Sequence, residues 1–264
     1  MNIVLYIIIF IMGSVFGSFL TLATYRIPLN EDITHKHSYC PKCNHKLNFL
    51  DLIPILSYVC LRGRCRYCKA KISPRYFIIE LLCGIAFVLL ALVLRINIYT
   101  LTIIKLLNFI FGILYIVFLF LIGGIDKEHH YLDKRVFIYG LIVALGYWIY
   151  EIIYSTSFNV NRIIIYLLIA IVIIIVNTYQ MKKKGKDSYA LSVLLLCIFS
   201  ALFTNEVITI ISIIMALLII AIDELILRIF KKDKKEKTTN TQPIAFYLCI
   251  ANFITLIFAN LILL

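Results

Sequence analysis

Long apolar runs separated by short basic loops make up most of the chain. Eight such runs cover residues 2–24, 77–94, 101–124, 135–154, 162–180, 189–204, 206–229 and 244–263. Most approach the ~20 residues an α-helix needs to cross ~30 Å of hydrocarbon. The pattern predicts an all-α polytopic membrane protein of about eight transmembrane helices. The sixth run is short, and only Asn205 and Glu206 part it from the seventh. That pair reads either as a tight helical hairpin or as a re-entrant segment. The first run has no basic stretch before it and no small-residue cleavage site after it, so it reads as a span and not as a signal peptide. Composition agrees: 62% of the 264 residues are apolar and 15% charged, and the mean hydropathy is +0.99. Soluble domains run near 45–50% apolar and ~25% charged. Disorder and a soluble single-core enzyme are excluded.

The net charge of +12, from 26 Lys and Arg against 14 Asp and Glu, would point to nucleic acid in a soluble protein. Its distribution points elsewhere. Alternate loops at 25–76, 125–135, 181–188 and 228–237 hold ten, three, four and six basic residues. The opposite side holds Arg95, Lys105 and Arg162. The positive-inside rule then puts the basic loops in the cytoplasm and both termini outside. Membrane lipid accounts for the charge, and no nucleic-acid partner is called for. The Lys/Thr-rich stretch 231–242 reads as a solvated loop that either touches anionic lipid or merely fixes topology.

Cysteine changes the picture of the first loop. Of the eight cysteines, four form Cys40-Pro41-Lys42-Cys43 and Cys65-Arg66-Tyr67-Cys68, with 21 residues between the pairs. Two such knuckles can bring four thiolates into the tetrahedron of a structural zinc site. A short loop with little core gains its folding energy from the metal. The alternatives are four unrelated thiols or a disulfide pair, the latter disfavoured in a reducing compartment. His35, His37 and His45 can replace a cysteine ligand or simply lie on the surface. The reading is a small cytoplasmic zinc-binding loop domain held by Cys40, Cys43, Cys65 and Cys68.

The carboxylates sort by position. Glu31, Asp32, Asp51, Asp233 and Glu236 fall in polar loops; Glu151 and Glu206 fall on the outer side. Asp223 and Glu224 can cap the seventh span or pair with Arg228. Glu80, just inside the second span, can serve chemistry or pair with a loop arginine. Asp126 and Asp187 fall at the same membrane face, the first after Ile122-Gly123-Gly124-Ile125 and the second in Lys184-Gly185-Lys186-Asp187-Ser188-Tyr189. Two carboxylates sharing a site split their proton affinities, so one activates water while the other polarises a carbonyl. Spacing alone does not show that residues 61 positions apart meet.

The context of the cysteines is more specific than their spacing. The first span ends Gly17-Ser18-Phe19-Leu20-Thr21 and continues to Tyr25-Arg26-Ile27-Pro28. Asp51-Leu52-Ile53-Pro54-Ile55-Leu56-Ser57-Tyr58 lies between the knuckles, and Ile72-Ser73-Pro74-Arg75-Tyr76 with Glu80 follows them. This run resembles the amino-terminal third of the type IV prepilin peptidases, bifunctional leader peptidases and N-methyltransferases. Thr21 stands where that family usually has Asn, and Phe77 where it has Pro. Weaker similarity reaches Gln242-Pro243-Ile244-Ala245-Phe246-Tyr247 in the last run.

The resemblance implies an intramembrane aspartic protease with Asp126 and Asp187 as its catalytic pair. Two departures accompany it. The family's Gly-x-Gly-Asp glycines are displaced here, with Lys184 and Lys186 flanking Gly185, and Leu132-Asp133-Lys134 stands where an aliphatic-Pro-Asp/Asn run is usual. Asp133 is therefore the reserve candidate, while His129 and His130 either tune the site or lie on the loop surface. The implied substrates are type IV prepilins or pseudopilins in the bacterial cytoplasmic membrane. The implied second activity uses S-adenosylmethionine, with Glu80 its one candidate contact. Residues 1–100 would form the methyltransferase part with the zinc loop, and residues 101–264 the six-span peptidase domain. A non-enzymatic zinc-ribbon scaffold of a pilus, secretion or competence apparatus is the alternative. A transporter is disfavoured by the lack of inverted repeats and of charges deep in the spans.

Overall fold

A computed structural model describes residues 2–33, 37–154, 160–184, 189–204, 206–230 and 242–262. Outside the loop between residues 27 and 73 the described residues are mostly helical. In chain order come α1 (Asn2–Arg26), α2 (Leu56–Cys60), α3 (Pro74–Val93), α4 (Ile103–His129), α5 (Lys134–Tyr154), α6 (Val160–Lys184), α7 (Tyr189–Phe203), α8 (Glu206–Phe230) and α9 (Ile244–Ile262). Each of the eight apolar runs becomes a helix, so the all-α polytopic reading holds. Among the described residues α1, α3, α4, α5 and the Glu206–Ile226 part of α8 are long and apolar enough to cross a membrane. Shorter apolar stretches lie within α6, α7 and α9.

Two boundaries differ from the hydropathy reading in ways that matter. Helix α4 runs on through Asp126 to His129, so that aspartate lies on the last turns of a helix and not in the loop after it. Within the cysteine loop, a 3-10 turn at Phe49–Asp51 and the short α2 form where hydropathy marked only a polar segment.

The chain divides into two compact units, residues 1–113 and 114–264, with the boundary inside α4. In the first unit α1 packs antiparallel on α3 along a seam of small residues. A Cβ at Gly13 would lie 2.8 Å from the Cys83 carbonyl oxygen and from the Gly84 Cα; one at Gly17 would lie 2.8 Å from the Glu80 Cα. Lipid supplies no hydrophobic drive between spans, so close backbone approach through small residues carries the association. Buried Thr21 and Ser14 return their hydroxyls to the Gly17 and Phe10 carbonyls of their own helix (2.8 and 2.9 Å), which leaves neither polar group stranded. At one end of the seam the Arg75 guanidinium donates to Thr24 Oγ1 (3.1 Å). Helix α3 starts sharply, with Pro74 in its first turn and the Ser73 hydroxyl accepting from the Arg75 N–H (3.4 Å).

In the second unit a buried polar cluster links four helices. The Tyr115 hydroxyl of α4 donates to Asn252 Oδ1 of α9 (2.6 Å), and the Asn252 amide donates to Ser200 of α7 and Ser212 of α8. Tyr115 also stacks on Phe203, ring centroids 4.4 Å apart. Each of these groups would be costly facing hydrocarbon, so the cluster fixes which faces of α4, α7, α8 and α9 turn inward.

Candidate metal centre and candidate active site

The cysteine loop builds the same local structure twice. At the first knuckle the Cys40 N–H donates to the His45 carbonyl (3.0 Å) and the Asn44 N–H to the Cys40 carbonyl (2.8 Å). At the second, the Cys65 N–H donates to the Ala70 carbonyl (2.9 Å) and the Lys69 N–H to the Cys65 carbonyl (3.0 Å). Asn44 and Lys69 hold the equivalent left-handed position, at φ 54° and 59°. An isolated antiparallel bridge closes each knuckle, Tyr39 to Lys46 and Arg64 to Lys71. The result brings the Sγ atoms of Cys40, Cys43, Cys65 and Cys68 within 4.8 Å of one another, a cluster that can hold a metal ion. A tetrahedral thiolate site with metal–sulfur bonds of ~2.3 Å has S···S edges of ~3.8 Å, and Cys40 Sγ lies 3.8 Å from Cys68 Sγ. The donor set and spacing fit a closed structural site.

Burial raises the Cys40 thiol, but the Cys43 and Lys42 N–H groups and the neighbouring thiols outweigh it and bring it down to about 7. The Cys43 thiol is favoured as thiolate by the His45 N–H, yet burial and its crowding by Cys68 and Cys40 push it up to about 11. Four sulfurs this close do not all ionise without a cation between them. Asp51 ties the second knuckle to the segment before it: the Arg66 Nε donates to its Oδ1 (2.6 Å) and the Tyr67 hydroxyl to its Oδ2 (3.2 Å). Burial raises the Asp51 carboxyl, but Arg66, the Asn48 N–H and Tyr67 hold it below the ordinary carboxylate range. His45 stacks on Tyr67, centroids 3.6 Å apart, and His37 is exposed, while His35 lies outside the described residues.

Glu80 is buried on α3, and its Oε2 accepts the Ile55 N–H (2.8 Å) from the start of α2. Ile55 sits at φ 62°, a costly conformation for a β-branched residue. The carboxylate thus holds the loop against the span. A carboxylate engaged in this way has a structural task.

In the second unit Asp126 is fully buried, at 0% exposure. Its Oδ2 accepts the Phe246 N–H of the first turn of α9 (2.9 Å) and the hydroxyl of Tyr189, the first residue of α7 (3.0 Å). The Tyr189 oxygen in turn accepts the neighbouring Ala245 N–H (3.2 Å). The first N–H groups of a helix have no intrahelical partner. Here Asp126 and Tyr189 take two of them. A carboxylate at the C-terminal end of its own helix is disfavoured by that helix's dipole; the facing N-terminus of α9 offsets this. Asp126 Oδ1 is buried with no hydrogen-bond partner among the described residues. The site is a carboxylate clamped by one oxygen, with the other left for a proton or a water. Lys127 lies 4.5 Å over the Phe246 ring, which adds to the hold on α9.

The other carboxylates are placed differently. Asp133 caps α5: its Oδ1 accepts the Arg135 N–H (2.8 Å), and the Arg135 guanidinium spans both oxygens, at 3.0 and 2.7 Å. Asp223 accepts the Tyr247 hydroxyl (2.7 Å), holding α8 to α9, and the Arg228 side chain lies outside the described residues. Asp187 also lies outside the described residues, with Gly185, Lys186 and Ser188. Tyr189 was not singled out from the sequence. Nothing in spacing marks it, because it meets Asp126 from 63 residues away.

Residues 11–94 match the family model described as the bacterial peptidase A24 N-terminal domain. A prepilin leader peptidase/N-methyltransferase of Myxococcus xanthus is 43% identical over 81 residues, 31% of this chain and 24% of its own length. One of Vibrio cholerae is 42% identical over 85 residues, 29% and 34% of the two chains. A type 4 prepilin-like proteins leader peptide-processing enzyme of Escherichia coli is 38% identical over 99 residues, 31% and 37%. The chain thus spans no more than 37% of the length of these three curated relatives. No solved structure matches.

Proposed function

We propose, from the membership of residues 11–94 in the type IV prepilin peptidase family, that this protein cleaves the basic leader of type IV prepilin-like precursors. Cleavage takes place at the cytoplasmic face of the bacterial inner membrane, and the protein methylates the new amino terminus. The observation that carries the reading is the alignment of residues 11–94 with relatives named for both activities. It favours an enzyme over a scaffold.

Asp126 supplies the chemistry, with Asp187 as its proposed partner. The Phe246 N–H and the Tyr189 hydroxyl keep Asp126 Oδ2 an acceptor, so proton exchange falls to Oδ1. That oxygen takes a proton from the attacking water, while a protonated Asp187 donates to the scissile carbonyl oxygen as charge builds on it. The substrate's apolar helix lies among the spans, which sets the cut at the interface.

Zinc is the metal we propose for the thiolate quartet, held by Cys40, Cys43, Cys65 and Cys68; bound there, it supplies folding energy to a loop with little core. S-adenosylmethionine is the proposed methyl donor. Glu80, the one candidate contact for it, also holds the Ile55 amide.

Co-expression with a prepilin, followed by intact-mass measurement of the pilin, tests the reading. Loss of the leader mass is expected with the native chain and not with Asp126→Asn or Asp187→Asn. Persistence of the leader with the native chain overturns it. Near-native cleavage by Asp187→Asn removes that residue alone from the pair.

A further inference from the structure

The cysteine loop carries a segment that neither the metal nor the proposed chemistry uses. Residues 48–61 contain no Lys or Arg and one carboxylate, Asp51, which Arg66 already neutralises. Their apolar side chains face outward: Phe49 is 80% exposed, Leu50 63%, Leu56 61% and Val59 57%. Leu56 and Val59 are three residues apart on α2, hence on one face. Soluble loops scatter single apolar residues over their surface; a contiguous exposed set marks an interaction site.

The position of this segment identifies what covers it. The Ile55 N–H is bonded to Glu80 (2.8 Å), and Tyr58 stacks on Phe77 with centroids 5.3 Å apart. Phe77 and Glu80 lie three and six residues into α3, which is long and apolar enough to span a membrane from Pro74. At 1.5 Å per residue they sit ~4.5 and ~9 Å along that helix. Interfacial helices bury their apolar face ~5–10 Å into the boundary of headgroups and acyl chains. Helix α2 is therefore pinned at that depth. Basic residues flank the segment, Lys42 and Lys46 before it and Arg62 and Arg64 after it, as contact with anionic headgroups requires. We propose that residues 49–59 form a lipid-interface anchor, laid into the headgroup–acyl boundary of the leaflet from which α3 starts. The anchor holds the cysteine loop against the membrane surface, and it does so independently of the proposed peptidase chemistry.

The chain has one tryptophan, Trp148, so a fluorescent probe is easily placed. The full-length protein carrying Trp148→Phe with Phe49→Trp is reconstituted in nanodiscs of phosphatidylcholine and phosphatidylglycerol, with and without acyl-brominated lipid. Brominated lipid is expected to quench the emission strongly, as the ~5–10 Å depth of an interfacial side chain brings it to the upper acyl chain, and aqueous acrylamide to quench little. Metal content of the purified variant reports whether the loop is folded. Where Phe49→Trp lowers it, Leu50→Trp and Val59→Trp take its place. Strong acrylamide quenching without lipid quenching overturns the proposal in favour of a water-facing loop. Shielding from both quenchers overturns it in favour of a protein cover.

Discussion

The cysteine loop and the Asp126 site solve the same problem, holding reactive groups in place near a membrane, by opposite means. The loop closes locally. Within each knuckle every stabilising backbone bond spans a few residues, and the two knuckles meet through the stacking of His45 on Tyr67 and the approach of Cys40 to Cys68. The Asp126 site has no local closure. Its two clamping groups come from Tyr189 and Phe246, 63 and 120 residues downstream. The loop's contacts are thus local in sequence, and those of the aspartate are remote.

The largest effect expected from this contrast is catalytic. Asp126→Asn is expected to lower leader cleavage about a thousand-fold or more, as loss of a member of a catalytic unit does, while metal content stays native. Asp133→Asn and Asp223→Asn are expected to retain most cleavage, since their oxygens serve Arg135 and Tyr247, respectively. A cleavage assay beside metal analysis of the same preparations reads both; equal losses from all three variants would break the comparison.

Next in size is the loop. Cys65→Ser is expected to abolish stoichiometric metal binding and to make the 37–72 region protease-sensitive, because the metal supplies what the missing core cannot. The helices of the second unit should keep their resistance in the same digest. The seam between α1 and α3 comes third. A Cβ at Gly84 would lie 2.7 Å from Ser14 Oγ and 2.8 Å from the Phe10 ring, so Gly84→Val is expected to cost about 1–3 kcal/mol by overpacking, read as a lowered melting temperature in detergent. The smallest effect sharpens the account of the clamp. Tyr189→Phe removes one donor to Asp126 Oδ2 and leaves the Ala245 N–H without its acceptor. An approximately ten-fold loss in kcat with KM near native is expected, the scale of one hydrogen bond to a charged group.

Much of this was legible before any coordinates. Eight apolar runs became helices because a backbone in hydrocarbon must bond to itself, and a run of apolar residues leaves the helix as its open solution. The thiolate quartet was legible for a related reason: CxxC spacing fixes the geometry of each half-site within five or six residues. Hydropathy marks only a polar loop over the 3-10 turn and α2; the head of α2 is held by Glu80 receiving the Ile55 amide, 25 residues away. Asp133 looked like an alternative to Asp126 in sequence; it proves to be a helix cap, decided by the geometry of Arg135 two residues on.

The sequence by itself determined the helical, membrane-spanning class, the cysteine quartet and the likeness of residues 11–94 to the bacterial peptidase A24 N-terminal domain, since each is written in local composition and spacing. Tertiary structure alone decided that the first turn of α9 and a tyrosine at the head of α7 clamp Asp126, and that Glu80 holds a loop. The reason is physical. A helix end exposes unpaired N–H groups wherever it falls, and which buried carboxylate receives them depends on how the spans pack, a matter of contacts among residues more than a hundred positions apart.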